Sequence, residues 1–337
     1  MPSFPVSDHC DGTRFFNPAG RPQALGFSEL PRWWYRRLTA RAHAPWPRTV
    51  PPPRRPVLPD GVPAGRIALT FLGHSTFLLQ LPGLNLLTDP VFASRAGPFG
   101  LLGPKRIRPA ALRLGELPRI DAVVLSHCHY DHLDLAALRW LSQRHRPAIV
   151  TTLGNQTWLE ARGVGRVTEL DWWGSADATP ELRVTCTPAQ HFAARTPWDK
   201  NHTLWGGFML RTSAGPVFFA GDTGWAGHFA EIHARLGAPA LALLPIGAYE
   251  PRWFMQPVHM NPDEAVRAHL ALGARRSVGM HFGTFNLTDE AVDEPVRALA
   301  VARETHGVAP EDFTTLDFGE TRLLALNPPA GPAPVRA

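Results

Sequence analysis

Lysine is nearly absent from this sequence: Lys105 and Lys200 stand against 32 arginines. With abundant alanine and proline, that imbalance reads as codon bias rather than as the mark of a ligand. Cysteine is scarce too. Cys10, Cys128 and Cys186 are odd in number and far apart, with no CxxC pair. A disulfide framework is therefore excluded, and a reducing compartment is expected. No apolar run approaches the ~18–20 residues that a membrane-spanning helix needs. The opening residues Met-Pro-Ser-Phe-Pro-Val-Ser-Asp hold no basic stretch followed by an apolar core. No secretory signal is expected, and a cytoplasmic location is. Excess charge is missing from most of the chain. Residues 1–60 hold nine arginines and four acidic residues, which accounts for the whole net charge of +5; the remainder carries 25 basic and 25 acidic residues. A nucleic-acid enzyme would spread basic charge along its working face, so no nucleic-acid partner is expected.

What is present supports a sizeable core, since 44% of residues are hydrophobic and 19% charged. Three segments are expected: a Pro/Arg-rich arm over 1–64, a body over 65–327 and a disordered tail over 328–337. Thirteen of the 35 prolines lie in residues 1–63. The run Pro51-Pro52-Pro53-Arg54-Arg55-Pro56 excludes regular helix or central strand there. Residues 31–38 (PRWWYRRL) form a basic aromatic patch with two open readings. It packs on the body through its tryptophans, or it touches an anionic membrane at the inner face.

From residue 65 the pattern predicts strands over Ile67–Leu72, Thr76–Leu81 and Leu84–Thr88, then a Gly/Pro loop over 89–109. Ala122–Leu125 is a short, wholly apolar strand of the buried kind. A helix over Leu133–Arg144, a strand over Ala148–Thr152 and a helix over Asn155–Arg162 follow. Further strands are predicted near 166–170, 182–187, 204–211, 216–220, 240–245, 276–280 and 320–326. Helices are predicted near 226–236, 262–272 and 291–306. This order suggests a layered α/β sandwich.

The strongest chemical signal is Ser126-His127-Cys128-His129-Tyr130-Asp131-His132, at the end of the strand Ala122–Leu125. In an extended segment alternate side chains share a face, so His127 and His129 point together and Cys128 points away. Two imidazoles are offered to one metal; Asp131 and His132, at the turn into the next helix, are offered to a second. Imidazole and carboxylate without thiolate suit zinc in an open catalytic site, or manganese or iron. His191, Asp222 and His281 each follow an apolar strand, at the C-terminal ends where α/β sites collect.

The order HxHxDH, His, GDTG, His resembles the metallo-β-lactamase fold superfamily. The chain is most similar to the branch of N-acyl-phosphatidylethanolamine-hydrolysing phospholipase D and its bacterial relatives. That likeness rests on FLGHST (71–76), LTDP (87–90), GPKR (103–106), residues 120–134, ELDWW (169–173), residues 218–225, LPIGAYEPRWFM (244–255) and HFGTF (281–285). It spans residues 66–325. The resemblance implies a four-layer αβ/βα sandwich with two zinc ions, iron or manganese staying open for one site. It gives His127, His129 and His191 to one ion, Asp131, His132 and His281 to the other, and Asp222 to both. It implies a hydroxide held between the metals attacking the phosphorus of a phospholipid diester. Phosphatidic acid and an N-acylethanolamine-type alcohol would be the products. Asp131 would also orient the water, and His259 would meet phosphate or the leaving group. Tyr130 would line the pocket, His74 would lie beneath the metals, and Arg252 would meet a headgroup phosphate or form a surface salt bridge. A homodimer is expected from the resemblance alone. Val258 stands where a polar residue is expected in the animal enzyme, so substrate detail is expected to differ. A hydrolase of another ester, such as a lactone or small phosphodiester, is the main alternative. A superfamily nuclease and a non-enzymatic membrane-contact protein stand behind it.

Overall fold

The computed structural model describes residues 3–18, 29–39 and 46–326. The tail expected to be disordered, and parts of the Pro/Arg-rich arm, lie outside the described residues. Helix α1 (Leu30–Thr39) opens the ordered elements. The first half then supplies β1 (Arg66–Gly73), β2 (Thr76–Leu81), β3 (Leu84–Thr88), β4 (Ala122–Leu125), α2 (Leu135–Arg144), β5 (Ala148–Thr152), α3 (Gln156–Glu160) and β6 (Val167–Leu170). The second half supplies β7 (Ser175–Thr179), β8 (Leu182–Thr187), β9 (Gly207–Thr212), β10 (Gly215–Phe219), α4 (His228–Leu236), β11 (Leu241–Pro245), α5 (Arg252–Met255), α6 (Pro262–Leu272), β12 (Ser277–Met280), α7 (Glu294–His306), β13 (Phe313–Thr314) and β14 (Thr321–Ala325).

The strands form two seven-stranded sheets, ordered β14-β1-β2-β3-β4-β5-β6 and β13-β12-β11-β10-β9-β8-β7. Each has antiparallel pairs at one end and parallel pairs at the other. In the first sheet β14, β1, β2 and β3 run antiparallel, and β3 to β6 run parallel. In the second β7 to β10 run antiparallel, and β10 to β13 run parallel. The inner strands are buried along their whole length rather than on alternate residues: β2, β4, β5 and β11 expose no side chain. Continuous burial requires cover on both faces. One face of each sheet meets a shared core, where Phe71 of β1 stacks on Phe282 just after β12, centroids 5.6 Å apart. The other faces are covered by helices; α6 lies on β11 between α4 and α7. The architecture is the four-layer αβ/βα sandwich.

Four elements were not legible in the pattern. The residues of β7 (SADAT) form an edge strand half-open to solvent and carry no apolar signal. Helix α1 is rich in arginine and aromatics, and α5 and β13 are only four and two residues long. The helix expected from Leu133 begins at Leu135, because Asp134 caps it by accepting from the Ala136 and Ala137 amides. The N-terminal residues lie against the body. Phe15 is buried, and His9 stacks on Trp172 at 4.3 Å while bonding Asp171. Among the described residues no helix is long and apolar enough to cross a membrane.

Candidate metal centre

The candidate residues come together at the strand ends between the two sheets. His127 to His132 follow β4, His191 follows β8, Asp222 follows β10 and His281 follows β12. Gly221 is needed ahead of Asp222. Its φ is +59°, and a Cβ there would meet the Ser126 Cβ at 2.7 Å, so only glycine lets the loop turn against the histidine segment. His74, Asp89 and His281 hold φ of 58°, 30° and 63°, conformations that non-glycine residues adopt at a cost. The strained backbone gathers around one point.

Two groups of donors share a carboxylate. His127 Nε2 lies 2.8 Å from His129 Nδ1, which lies 3.3 Å from His191 Nε2. Asp222 Oδ2 is 4.0 and 3.9 Å from His127 and His191 Nε2. On its other side the same oxygen is 3.0 Å from both His132 Nε2 and His281 Nε2. Asp131 Oδ2 closes the second group at 3.6 Å from His132 Nε2 and 3.4 Å from His281 Nε2.

The outer contacts decide which imidazole nitrogens can bind. His132 Nδ1 is 2.6 Å from Asp89 Oδ2, and His191 Nδ1 is 2.9 Å from the Val258 carbonyl oxygen. Ser126 donates its hydroxyl to Asp89 at 2.5 Å and its amide at 2.7 Å, which leaves Ser126 Oγ to accept from His127 Nδ1 at 2.9 Å. Each of these Nδ1 atoms therefore carries the proton, and the Nε2 lone pairs of His127, His132 and His191 face Asp222. Asp89 governs two ligands through one buried carboxylate. Sequence reasoning missed it, although Leu84–Thr88 followed by Asp89 repeats the strand-then-ligand pattern of Asp222.

This geometry fits cations. The Nε2 atoms of His127 and His191 converge on His129 Nδ1 at 2.8 and 3.3 Å, three imidazole nitrogens placed so that one ion could be held among them. Among the described residues Asp222 Oδ1 is buried without a hydrogen-bond partner. The titration directions agree. Burial, with the neighbouring imidazoles, drives His127 well below its ordinary range and His129 down to about 3; burial takes His191 to about 4. Burial also opposes charge on His281 and His132, but Asp222 and Asp131 outweigh it. They lift His281 to about 9 and His132 well above its ordinary value. Both carboxylates are held well below theirs despite burial, chiefly by His132. The second group thus demands positive charge, which two divalent ions would supply.

The remaining candidates divide. His74 Nε2 contacts Asp131 Oδ2 at 3.1 Å, beneath the second group. His259 Nε2 reaches Asp222 Oδ2 at 4.0 Å and, with His191 and Asp222, forms a further set of donors beside the two groups. Tyr130 is half-buried on the ligand loop with the Arg195 guanidinium 3.9 Å over its ring. The Arg252 guanidinium is already paired. It binds Glu264 at 2.7 Å and the His259 carbonyl at 3.0 Å, so in this structure it braces the loop that presents His259.

Residues 84–282 match the family described as the beta-lactamase superfamily domain. The chain is 41% identical over 266 residues to N-acyl-phosphatidylethanolamine-hydrolyzing phospholipase D 1 of Caenorhabditis elegans, covering 74% of each chain. It is 36% identical over 244 residues to the mitochondrial enzyme of the same description from Saccharomyces cerevisiae, covering 71% of this chain and 52% of that one. Among solved structures, a metallo hydrolase from the archaeon Ignicoccus hospitalis is similar with a TM-score of 0.59 and 25% identity, over 77% of this chain and 98% of that one.

Proposed function

The chain belongs to the metallo-β-lactamase superfamily and is a metal-dependent hydrolase, and from that premise we propose that it is a two-metal phosphodiesterase of the phospholipase D type. Its substrate would be an N-acyl-phosphatidylethanolamine-like lipid, and its products a phosphatidic acid and an N-acylethanolamine. The observation that carries the two-metal reading is Asp222 Oδ2 standing between two complete donor groups. The relatives described as phospholipase D support the choice of ester.

His127, His129 and His191 would hold one ion, Asp131, His132 and His281 the other, and Asp222 both. Zinc is the proposed metal, because the donors are imidazole and carboxylate with no thiolate. Two such ions would bring a shared water towards neutral pKa and offset charge developing on the phosphoryl oxygens. Asp131, fixed by His74, orients the reacting water. Burial holds His259 neutral, well below its ordinary range, so it serves as a hydrogen-bond partner for a phosphoryl oxygen or the departing alcohol rather than as a fixed positive charge.

Metal content and lipid hydrolysis test the reading together. About two zinc ions per chain and release of phosphatidic acid are expected, with both lost in Asp222→Ala. A protein that binds two ions but leaves N-acyl-phosphatidylethanolamine intact would refute the substrate. An Asp222→Ala variant that keeps its activity would refute the centre.

A further inference from the structure

Between Asp89 and the next helical turn the chain makes a hairpin that the centre itself does not use. Its neck is closed by the Arg95–Lys105 bridge and by the Ala96 amide donating to the Pro104 carbonyl at 3.0 Å. Gly97 and Gly103 face each other across the neck too closely for any Cβ, and Gly103 has φ +82°. The tip projects. Phe99, Leu101 and Leu102 are 92%, 73% and 62% exposed, and Phe99 holds φ 58°, a conformation glycine would normally fill. Three large apolar side chains together at a loop tip mark a surface that meets something.

The charge around the tip says what. From residue 94 to 106 the sequence holds Arg95, Lys105 and Arg106 and no acidic residue, and of these Arg106 is buried with its guanidinium on the Val91 and Ala93 carbonyls. Lys105 is exposed at the neck. An apolar tip above a basic collar matches the boundary of an anionic lipid layer, where side chains enter the acyl region and cations meet headgroups. The hairpin is also rigidly tied to the centre. Its base amides at Phe92 and Ala93 donate to Asp134, two residues beyond His132. Arg106 lies over Phe285, whose edge meets the His74 ring at 5.1 Å. A second loop behaves alike. Trp198, 82% exposed, follows His191, and its segment is anchored by Arg195 donating to the Cys128 carbonyl at 2.6 Å.

We propose that the hairpin over residues 94–106 inserts its tip into an anionic phospholipid surface, with Trp198 as a second contact, and so seats the metal centre at the membrane. The proposal is separate from any contact made by the basic residues of α1. It adds an orientation to the lipid reading above, but it is tested without turnover.

The full-length protein is mixed with vesicles of phosphatidylcholine and phosphatidylglycerol, lipids that the proposed reaction does not consume. Sedimentation should show binding that rises with the phosphatidylglycerol fraction. The variant F99S/L101S/L102S should bind about tenfold or more weakly, and Lys105→Glu should lose the preference for anionic lipid. The three native cysteines are buried. A dye sensitive to polarity can therefore be placed through Phe99→Cys, and its emission should shift to the blue on vesicles. Unchanged binding in the triple serine variant, or an unshifted dye, overturns the proposal. Unchanged vesicle binding together with a smaller particle on size exclusion would instead make the hairpin a contact between two copies of the chain. Vesicle binding by a protein that leaves N-acyl-phosphatidylethanolamine intact in the separate hydrolysis assay would leave this proposal standing and refute the substrate.

Discussion

Replacing Asp89 with asparagine tests the argument about tautomers with almost no change of volume. In the native protein Oδ2 accepts from His132 Nδ1 and Ser126 Oγ, and Oδ1 accepts from the Ser126 amide. An asparagine has one acceptor oxygen and one NH2 donor. With its NH2 at the Oδ1 position, it faces the Ser126 N–H and two donors collide. With its NH2 at the Oδ2 position, His132 Nδ1 must accept, which moves the proton to Nε2 and removes the lone pair that would bind metal. Either placement loses a charge-assisted bond of about 1.5–3 kcal/mol in a fully buried site. At about 1.4 kcal/mol per tenfold, this predicts metal affinity weakened by roughly ten- to 150-fold. The loss should fall mainly on the ion held by His132. Competition with a chelator of known affinity, followed ion by ion, measures it, and far-ultraviolet circular dichroism checks that the fold persists. Two unchanged affinities would show that Asp89 does not set the tautomer of His132.

Three further outcomes follow from groups that do not themselves bind metal. Burial opposes charge on His9, but Asp171 at 2.8 Å and Asp8 at 2.6 Å outweigh it and raise its pKa above the ordinary 6.5. Its stabilisation is complete below that value and is lost as pH rises through the raised folded pKa; since the partner carboxylates Asp8 and Asp171 are exposed to solvent, about 1 kcal/mol or less is at stake. The gap in unfolding free energy between wild type and His9→Phe should narrow from pH 5.5 to pH 8, and a gap that widens would reverse the sign. Glu290 accepts from the Ala248 amide at 2.6 Å, the Glu250 amide at 3.1 Å and the Thr288 hydroxyl at 2.9 Å. Glu290→Ala strands those donors, so urea unfolding should show a loss of about 2–4 kcal/mol; under about 0.5 kcal/mol would mean that water replaces the carboxylate. Burial pushes the Cys128 thiol up to about 11. Iodoacetamide at pH 8 should leave it unmodified until the protein is unfolded, whereas rapid labelling of the folded protein would show the histidine loop opening to solvent.

How much of the centre was legible depended on whether a residue carried its own signal. His127, His129, Asp131 and His132 were readable because a strand end fixes which neighbours share a face. His191, Asp222 and His281 were readable because each is a ligand-type residue just after an apolar run. Asp89 has the same placement and was passed over, because LTDP also reads as an ordinary turn. Arg252 carried two readings, a headgroup phosphate or a salt bridge, and only the fold brings Glu264, twelve residues on, within 2.7 Å of it. Edge strand β7 left no trace because a strand with solvent beside it has little need of apolar residues.

The sequence by itself determined the strand-and-helix order and the donor chemistry, since periodicity and residue type are local properties. It also determined the family, since motif order survives without coordinates. Only the tertiary structure decided that one oxygen of Asp222 lies between two donor groups, and that Asp89 and Ser126 dictate the protons of His132 and His127. It alone showed that three apolar residues of an unremarkable loop stand out from the surface. These are relations between segments up to about 150 residues apart. Their distances are set by how the two sheets pack, and no local pattern encodes a distance.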